Sequence, residues 1–322
     1  MKIIYSQNET INLESSILTI GTFDGVHYAH QSLIKETVER AKLFNTKSVI
    51  VTFHPHPKHI VSTNLSLELL TNINEKISFF EKLNVDYLYI VNFTQEFSKL
   101  SYQDFVSDYI VKNFHPIEII VGYNYGFGKD RSAGTNELEI LGKQFSFNVK
   151  ISNQIKIDDS PISSTYVRKL LSNGNIEDAN KILNYNYNFT GEVIRGDGRG
   201  RQLGFPTANL KIDEPLKIIP QNGIYVVGVE LNKEYFHGLM NVGVIPTFFE
   251  KHDRRVEVYI LDFSKDIYGE NLTVEVLHRL RDELKFLSVE ELIVAMKQDE
   301  INGREWLKTN KIRSNTDVNE RA

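Results

Sequence analysis

Apolar and polar residues alternate along the first half of the chain in blocks that predict strands followed by helices. Continuous apolar runs, typical of strands buried on both faces, lie at 16–20, 48–53, 87–91 and 117–122. Helical spacing follows at 33–44, 74–83 and 101–113. Strands that alternate with helices of this length imply right-handed βαβ units and a parallel sheet. The first half is therefore predicted to be an α/β domain whose ligands bind beyond the carboxyl ends of its strands.

From Phe189 onward the pattern changes to short β-rich runs separated by turn residues. These runs lie at 190–195, 223–230, 239–244, 256–263 and 272–280. A long helix follows Ser288, where Ser288 and Glu291 fit a capping box. The second half is therefore predicted to be a small antiparallel barrel with a terminal helix.

A domain boundary is expected where asparagine and glycine interrupt regular structure, between about residues 172 and 188. We predict one domain over 1–182 and a second over 183–308. The polar remainder, 309–322, is predicted to be a flexible tail.

Composition narrows the class of protein. The chain has 322 residues, of which 41% are hydrophobic and 25% charged, as expected for a soluble globular protein. A net charge of -5 argues against a general nucleic-acid binder but leaves small anionic ligands open. The chain has no cysteine, which excludes disulfides and thiolate zinc sites and fits a reducing cytoplasm. Because no signal-peptide pattern or long apolar run occurs, we expect a cytoplasmic protein without a membrane or nucleic-acid partner.

The turn between the first predicted strand and helix carries two histidines, His27 and His30, within the stretch 21–30. At this spacing they share one face of the helix, beside backbone N–H groups that lack intrahelical partners. Such a helix entrance favours a phosphate group. A structural histidine next to a glycine turn is the alternative.

Two later segments carry the same ambiguity. The glycine-rich loop at 122–134 includes Lys129 and Arg131, which suits phosphates but also an ordinary surface loop. The hydroxyl residues at 163–165, followed by Arg168, could cap a helix or cradle a phosphate.

A second cluster of histidines lies at 54–59. Prolines separate His54, His56 and His59, and no carboxylate or thiolate completes a ligand set, so no metal is expected there.

The stretch 21–30 resembles the HxGH signature of nucleotidylyltransferases. The segments 52–57, 121–128 and 162–168 follow in the order found in FAD synthetase, the bacterial bifunctional riboflavin kinase/FMN adenylyltransferase family. HxGH alone occurs in many adenylyltransferases, whereas the ordered set is specific. The resemblance implies a Rossmann-like nucleotidylyltransferase domain that transfers AMP from ATP to FMN and releases pyrophosphate.

The same resemblance implies roles for individual residues. His27 and His30 would contact the ATP phosphates as charge develops there. Further ATP- and phosphate-binding residues would be Gly21, Phe23, Asp24, Gly25, Asn124, Ser163, Ser164, Thr165 and Arg168. The chain departs from the family pattern at Ala29, where the family usually has glycine. Alanine adds a methyl group near the phosphates but is tolerated if its φ is negative.

The second half has its own phosphate-binding candidate, a loop at 195–204 rich in glycine and arginine. Its glycines allow close backbone approach to an anion, although a flexible hairpin loop with incidental arginines is the alternative. Thr207 and Asn209 are two residues apart, so on a strand they would face the same way and suit a hydrated magnesium ion.

The segment 200–209 resembles the riboflavin kinase signature, with support from 240–243, 246–248, 256–263, 268–269 and 280–286. The resemblance implies a riboflavin kinase barrel in which Glu257 is the general base and Thr207 and Asn209 hold Mg²⁺. Its ATP- and flavin-binding residues would be Gly196, Gly198, Arg201, Gly204, Pro206, Thr207, Asn209, Asn241 and Arg281. The alternative for Glu257 is a solvent-facing position on an alternating strand.

The two resemblances together imply an ATP- and Mg²⁺-dependent enzyme that converts riboflavin to FMN and then FMN to FAD. Riboflavin, FMN and ATP are its expected small-molecule partners, and the oligomeric state is left open. One alternative is a kinase whose second site is impaired by Ala29. Another is a flavin- or nucleotide-sensing protein without turnover, although ligand binding alone does not require a base such as Glu257.

Overall fold

The structure is a computed structural model that describes residues 1–8, 11–62, 67–123, 125–126, 128, 133–157, 160–196, 198, 200, 203–244 and 254–310. The chain divides into two compact units, Met1–Ser164 and Thr165–Ala322. Each unit is described by itself.

The first unit is built on a six-stranded parallel sheet in the order β1-β4-β3-β2-β5-β6. Its strands are β1 Lys2–Tyr5, β2 Ser16–Ile20, β3 Lys47–His54, β4 Tyr87–Asn92, β5 Pro116–Gly122 and β6 Asn148–Ser152. Its helices are α1 Tyr28–Leu43, α2 Pro57–Val61, α3 Ile73–Lys82, α4 Tyr102–Asp104, α5 Lys112–Phe114 and α6 Thr135–Phe145. Two short antiparallel strands of two residues each, β7 Lys156–Ile157 and β8 Ser160–Pro161, complete the unit. The predicted parallel α/β fold is confirmed.

The apolar runs form strands because both faces of this sheet are covered. Every residue of β2 is buried, and separate apolar clusters lie on the two sides of the sheet, one around Phe105 and Phe114 and one around Phe23 and Phe80. The helix predicted at 101–113 forms, but its middle, Phe105–Val111, is π-helical. The edge strands β1 and β6 and helix α6 were not predicted.

The second unit contains a closed antiparallel barrel of six strands in the order β10-β13-β12-β11-β14-β9. The strands are β9 Asn188–Ile194, β10 Ala208–Ile212, β11 Gly223–Leu231, β12 Glu234–Val244, β13 Arg254–Ile260 and β14 Asn271–Arg281. Two helices, α7 Ser164–Ser172 and α8 Ile176–Leu183, precede it, and α9 Val289–Asn310 follows. The barrel with a terminal helix is confirmed. The predicted domain boundary after residue 182 falls near the end of α8.

Helix α9 begins with part of the predicted capping box. The Ser288 hydroxyl accepts a hydrogen bond from the Glu291 N–H at 3.2 Å, but the Glu291 carboxylate accepts from the N–H of Leu287 instead of Ser288. The helix continues through Asn310, so the first two residues of the predicted tail are helical, while 311–322 lie outside the described residues. Among the helices of the described ranges, none has the length and apolarity needed to cross a membrane.

Candidate active sites

The first candidate site lies where β2 passes into α1 through a tight turn. Phe23 and Val26 adopt left-handed backbone conformations, with φ of 48° and 32°, and Gly25 has φ of 79°. Side chains other than glycine rarely adopt such conformations, so the surrounding contacts must hold the turn in place. Gly25 also lacks space, because a Cβ there would lie 2.7 Å from Leu70 Cδ1.

The two histidines lie together at the entrance of α1. His27 is the N-cap residue, and its Nδ1 accepts a hydrogen bond from the His30 N–H at 3.4 Å. The two rings are stacked, with centroids 3.6 Å apart, and the Phe23 ring meets His30 edge-on at 5.3 Å. The predicted pairing on one helix face is therefore observed. Ala29 lies between them within the helix, and its φ is negative, so its methyl group is tolerated.

Burial determines the charge of both imidazoles. It lowers the pKa of His27 to about 4, although the ring's own backbone hydrogen bond and the charge of Asp24 favour the protonated form. Burial also lowers the pKa of His30 well below its usual value, and protonation of His27 and the charge of Lys76 act in the same direction. Both histidines are therefore neutral near pH 7, and His30 Nδ1 is buried without a hydrogen-bond partner among the described residues.

These shifts predict that the protein loses stability on acidification between about pH 6.5 and 4. In this window the unfolded state binds protons that native His27 excludes, so the free energy of unfolding falls as pH falls. His27 alone should contribute on the order of 3 kcal/mol. Urea titrations followed by circular dichroism at pH 7 and pH 4.5 test this, and His27→Gln should reduce the difference. Trp306 fluorescence reports unfolding of the second unit separately. If acid lowered the free energy of unfolding equally by circular dichroism and by Trp306 fluorescence, the assignment of the effect to His27 would be contradicted.

Leu70 and Thr71, just before α3, stabilise the turn between β2 and α1 through hydrogen bonds. The Asp24 carboxylate accepts hydrogen bonds from the N–H groups of Leu70 and Thr71 at 3.1 and 3.0 Å, and the Thr71 hydroxyl accepts one from the Gly25 N–H at 2.9 Å. Asp24 is thus oriented toward backbone donors of this segment. The prediction that Asp24 also contacts ATP stays a prediction.

The hydroxyl cluster at 163–165 is partly tied to the same turn. The Ser164 hydroxyl donates a hydrogen bond to the carbonyl of Asp24 at 2.8 Å, so one residue of the predicted cradle meets the histidine turn directly. Ser163 and Arg168 are half-buried and Thr165 is exposed. Asn124, Lys129 and Arg131, predicted in the glycine-rich loop, lie outside the described residues.

The remaining histidines after β3 make local contacts. His56 caps α2 by accepting from the Lys58 N–H at 3.2 Å, and His59 Nε2 lies 2.6 Å from the Leu67 carbonyl oxygen.

The second candidate site is a row of side chains across the barrel. Strand register pairs Glu257 of β13 with Asn209 of β10 on one side and with Asn241 of β12 on the other. The row continues through Ile224 of β11 to Arg281 of β14. Residues opposite one another in an antiparallel pair lie on the same face about 5 Å apart, so Asn209 and Asn241, predicted separately, lie on either side of Glu257.

This row lies on the outer face of the barrel, near one end. Val256 and Val258 are buried in the interior, so the alternating Glu257 faces outward with 24% of its side chain exposed. Its carboxylate lies 3.3 Å from Arg255 Nη1. Strand β9 ends at Ile194, opposite Asn209, while β10 begins at Ala208 and β14 ends at Arg281, so three strand ends lie along this row. Glu257 thus alternates with buried valines along β13, and its neighbours in the row are polar site candidates.

The loop at 195–204, rich in glycine and arginine, approaches this row closely. A Cβ at Gly196 would lie 2.2 Å from Asn209 Nδ2, and a Cβ at Gly200 would lie 3.0 Å from Thr207 Oγ1. Gly198 and Gly204 have φ of 68° and 86° and open space beside them. The loop backbone therefore approaches both Asn209 and Thr207, the two proposed magnesium-binding residues. A side chain at Gly196 or Gly200 would collide with them. Pro206 precedes them, and Arg201 lies outside the described residues.

Arg281, at the far end of the row, is held by α9. Its Nε and Nη2 donate to the two carboxylate oxygens of Asp299 at 2.8 and 2.6 Å, and Asp299 is buried. This bidentate pair fixes the guanidinium at the end of β14.

Comparisons with known proteins agree with this geometry. A family model described as FAD synthetase matches residues 9–166, and one described as riboflavin kinase matches residues 183–307. A bifunctional riboflavin kinase/FMN adenylyltransferase from Listeria monocytogenes is 37% identical over 94% of this chain and 98% of its own length. The proteins of that description from Bacillus subtilis and Escherichia coli K12 are 34% and 32% identical over 88% and 91% of this chain, and over 90% and 93% of their own lengths.

One solved structure has a similar fold over nearly the whole chain. It comes from Streptococcus pneumoniae, is 32% identical, has a TM-score of 0.87, and the match covers 95% of this chain and 100% of that one. Its title describes a macrolide-efflux protein, whereas the family models and the relatives above agree on flavin enzymes.

The first unit carries a histidine pair at the start of the first helix of a parallel sheet, and the second carries a carboxylate between two asparagines on a barrel. The family models that match these two units make the chain a nucleotidyl- and phosphotransferase. The family models and the full-length relatives specify the substrates of this class. The chain belongs to the bifunctional riboflavin kinase/FMN adenylyltransferase family. The predicted pair of activities is thereby confirmed over the kinase-only and sensor alternatives.

Proposed function

We propose that the two reactions of this family occur at the two sites described above. The barrel transfers the γ-phosphate of ATP to riboflavin, giving FMN and ADP. The parallel-sheet unit then transfers AMP from a second ATP to FMN, giving FAD and pyrophosphate. The observation that carries the proposal is the pair of separate polar arrangements, the stacked histidines in the first unit and the Glu257 row in the second.

At the first site, the phosphate of FMN attacks the α-phosphorus of ATP and pyrophosphate leaves. No protein nucleophile is needed, so the protein accelerates the step by positioning and by stabilising charge. His27 and His30 are neutral and donate hydrogen bonds to the phosphates, together with free N–H groups at the start of α1. Gly21, Phe23 and Gly25 shape the turn, and Asp24 holds it.

The pyrophosphate side of this site is assigned to the hydroxyl residues Ser163, Ser164 and Thr165 with Arg168. The hydrogen bond from Ser164 to the Asp24 carbonyl supports this assignment, because it links the start of the cluster to the histidine turn. Asn124 is proposed to place the nucleotide.

At the second site, Glu257 accepts the proton of the ribityl 5′-hydroxyl. The hydroxyl oxygen attacks the γ-phosphorus of ATP, and ADP leaves. The partly exposed position between two amide side chains supports this role, since the carboxylate is accessible and oriented by neighbours. Asn241 and Arg281 are proposed to bind ATP or flavin. Gly196, Gly198, Gly204 and Arg201 cover the phosphates.

Thr207 and Asn209 would hold Mg²⁺ at this site. Both offer uncharged oxygen ligands, and the glycines opposite them leave space that a Cβ would fill, so the residues fit a hydrated ion shared with ATP. When bound, Mg²⁺ neutralises charge on the transferring phosphates. We further propose that the enzyme acts in the cytoplasm, which the absence of cysteine supports.

Product analysis tests the proposal. Purified protein incubated with riboflavin, ATP and Mg²⁺ should form FMN first and then FAD, separated by chromatography. Supplying FMN in place of riboflavin should give FAD directly. FMN without FAD would contradict the adenylyltransferase assignment and implicate Ala29, in which case Ala29→Gly should restore FAD formation.

A further inference from the structure

Helix α3 contains a buried lysine that neither the sequence motifs nor the mechanism above accounts for. Lys76 lies in the second turn of the helix and is only 5% exposed. Lysine is almost never fully buried unless it is paired, because removing an ammonium group from water is costly. Its position therefore requires a specific reason.

The contacts of Lys76 do not neutralise its charge. Its Nζ donates one hydrogen bond, at 3.3 Å, to the carbonyl oxygen of Thr22. Within the described part of the chain no carboxylate lies within ion-pair distance of it. Burial lowers the pKa of Lys76, and the charge of Asp24 opposes this shift, but the Asp24 carboxylate is already bonded to Leu70 and Thr71. Two of the three ammonium donors thus have no described acceptor.

The single contact falls on the turn that presents the two histidines. The carbonyl of Thr22 also accepts from the Thr52 hydroxyl at 3.3 Å, and the next residue, Phe23, has a left-handed backbone. Lys76 therefore holds the beginning of the strained turn, while Thr71 holds its middle through Asp24 and Gly25.

Charge gives the lysine a second effect at the same place. His27 and His30 are both neutral near pH 7, yet the site must accept ATP and the phosphate of FMN. The ammonium is bonded to the carbonyl of Thr22, and the ring of the next residue, Phe23, contacts His30 at 5.3 Å. The charge of Lys76 adds to burial and to His27 in lowering the pKa of His30. A fixed positive charge behind neutral donors stabilises negative charge that develops in front of them.

We propose that Lys76 is a positioning residue of the adenylyltransferase site, where it holds the turn that presents His27 and His30 and supplies a fixed positive charge behind them. The inference rests on the proposed adenylyltransferase function of this unit.

Lys76→Met tests the proposal, since methionine fills similar space without charge or donors. The expected result is a fall in kcat for FAD formation from FMN of roughly 100-fold, as for loss of one preorganised electrostatic contact. KM for FMN should stay within about threefold, because the lost effect belongs to the transition state. Lys76→Arg, which keeps the charge, should recover most of the activity.

The controls separate a functional role from folding. Lys82→Met removes an exposed lysine from the same helix and should leave FAD formation unchanged. Riboflavin phosphorylation by the barrel serves as an internal reference, and all variants are assayed below the unfolding temperature measured by circular dichroism. Full activity of Lys76→Met, or equal inactivity of folded Lys76→Met and Lys76→Arg, would overturn the inference. Absence of FAD formation in the unsubstituted protein would instead refute the proposed function.

Discussion

Glu257→Gln should abolish FMN formation from riboflavin while FAD formation from supplied FMN continues. Glutamine keeps the size of the side chain and its place between Asn209 and Asn241, but it cannot accept the proton of the ribityl hydroxyl. General-base catalysis contributes roughly 100- to 10,000-fold, so the rate of FMN formation should fall by at least about 100-fold. Chromatography of flavins from parallel reactions, started with riboflavin or with FMN, measures both steps in one preparation.

A matched control for this variant is Glu192→Gln. Glu192 is an exposed carboxylate on β9 of the same barrel, so the substitution changes the net charge equally without touching the Glu257 row. It should leave both reactions unchanged. If Glu257→Gln slowed both reactions equally, or neither, the two-site assignment would be wrong.

His30→Ala should have the opposite effect, with loss of FAD formation and normal FMN formation. The substitution removes a neutral hydrogen-bond donor from the helix entrance and breaks its stacking with His27. Loss of one such donor at a site of developing charge lowers kcat by roughly 100- to 1,000-fold. The same paired reactions measure the effect, with FMN formation in the barrel as the internal reference.

Because the His30 ring is packed against Phe23, alanine also leaves a cavity, and a second variant is needed. His30→Gln retains an amide donor in a side chain of similar reach and should recover part of the FAD activity. Folded His30→Gln with no more activity than His30→Ala would show that an imidazole itself is required. Full FAD formation by His30→Ala would refute the role of this histidine.

The fold was largely predictable because its two halves have different periodicities. Long apolar runs separated by helical spacing favour a buried parallel sheet, and short alternating runs separated by turn residues favour an antiparallel structure. The elements that were missed are short or weakly patterned. Strand β1 has four residues, and β10 begins at Ala208, shortly after the glycine- and arginine-rich loop at 195–204. These segments form strands because they pair with strands that are distant in sequence. The residues next to them in the chain do not reveal that pairing.

The candidate sites were predictable only in part, for a related physical reason. His27 and His30 are close in sequence, so helical spacing alone brings them together. Glu257, Asn209 and Asn241 become neighbours through strand register, which the sequence pattern does not specify. The neutral state of the histidines follows from burial, and Lys76 had no signal, because a single lysine in an amphipathic helix looks like a solvent-exposed residue.

The closure of the barrel has a consequence for how the chain folds during synthesis on the ribosome. Strand β9 is the first barrel strand to be synthesised, yet its partner β14 is the last, some eighty residues later, as in the pair Phe189 and Val274. The ring cannot close until the whole of β14 has left the exit tunnel. The parallel sheet, whose strands end at Ser152, is complete long before that point, so we expect newly made chains to pass through a stage in which only the first unit is native.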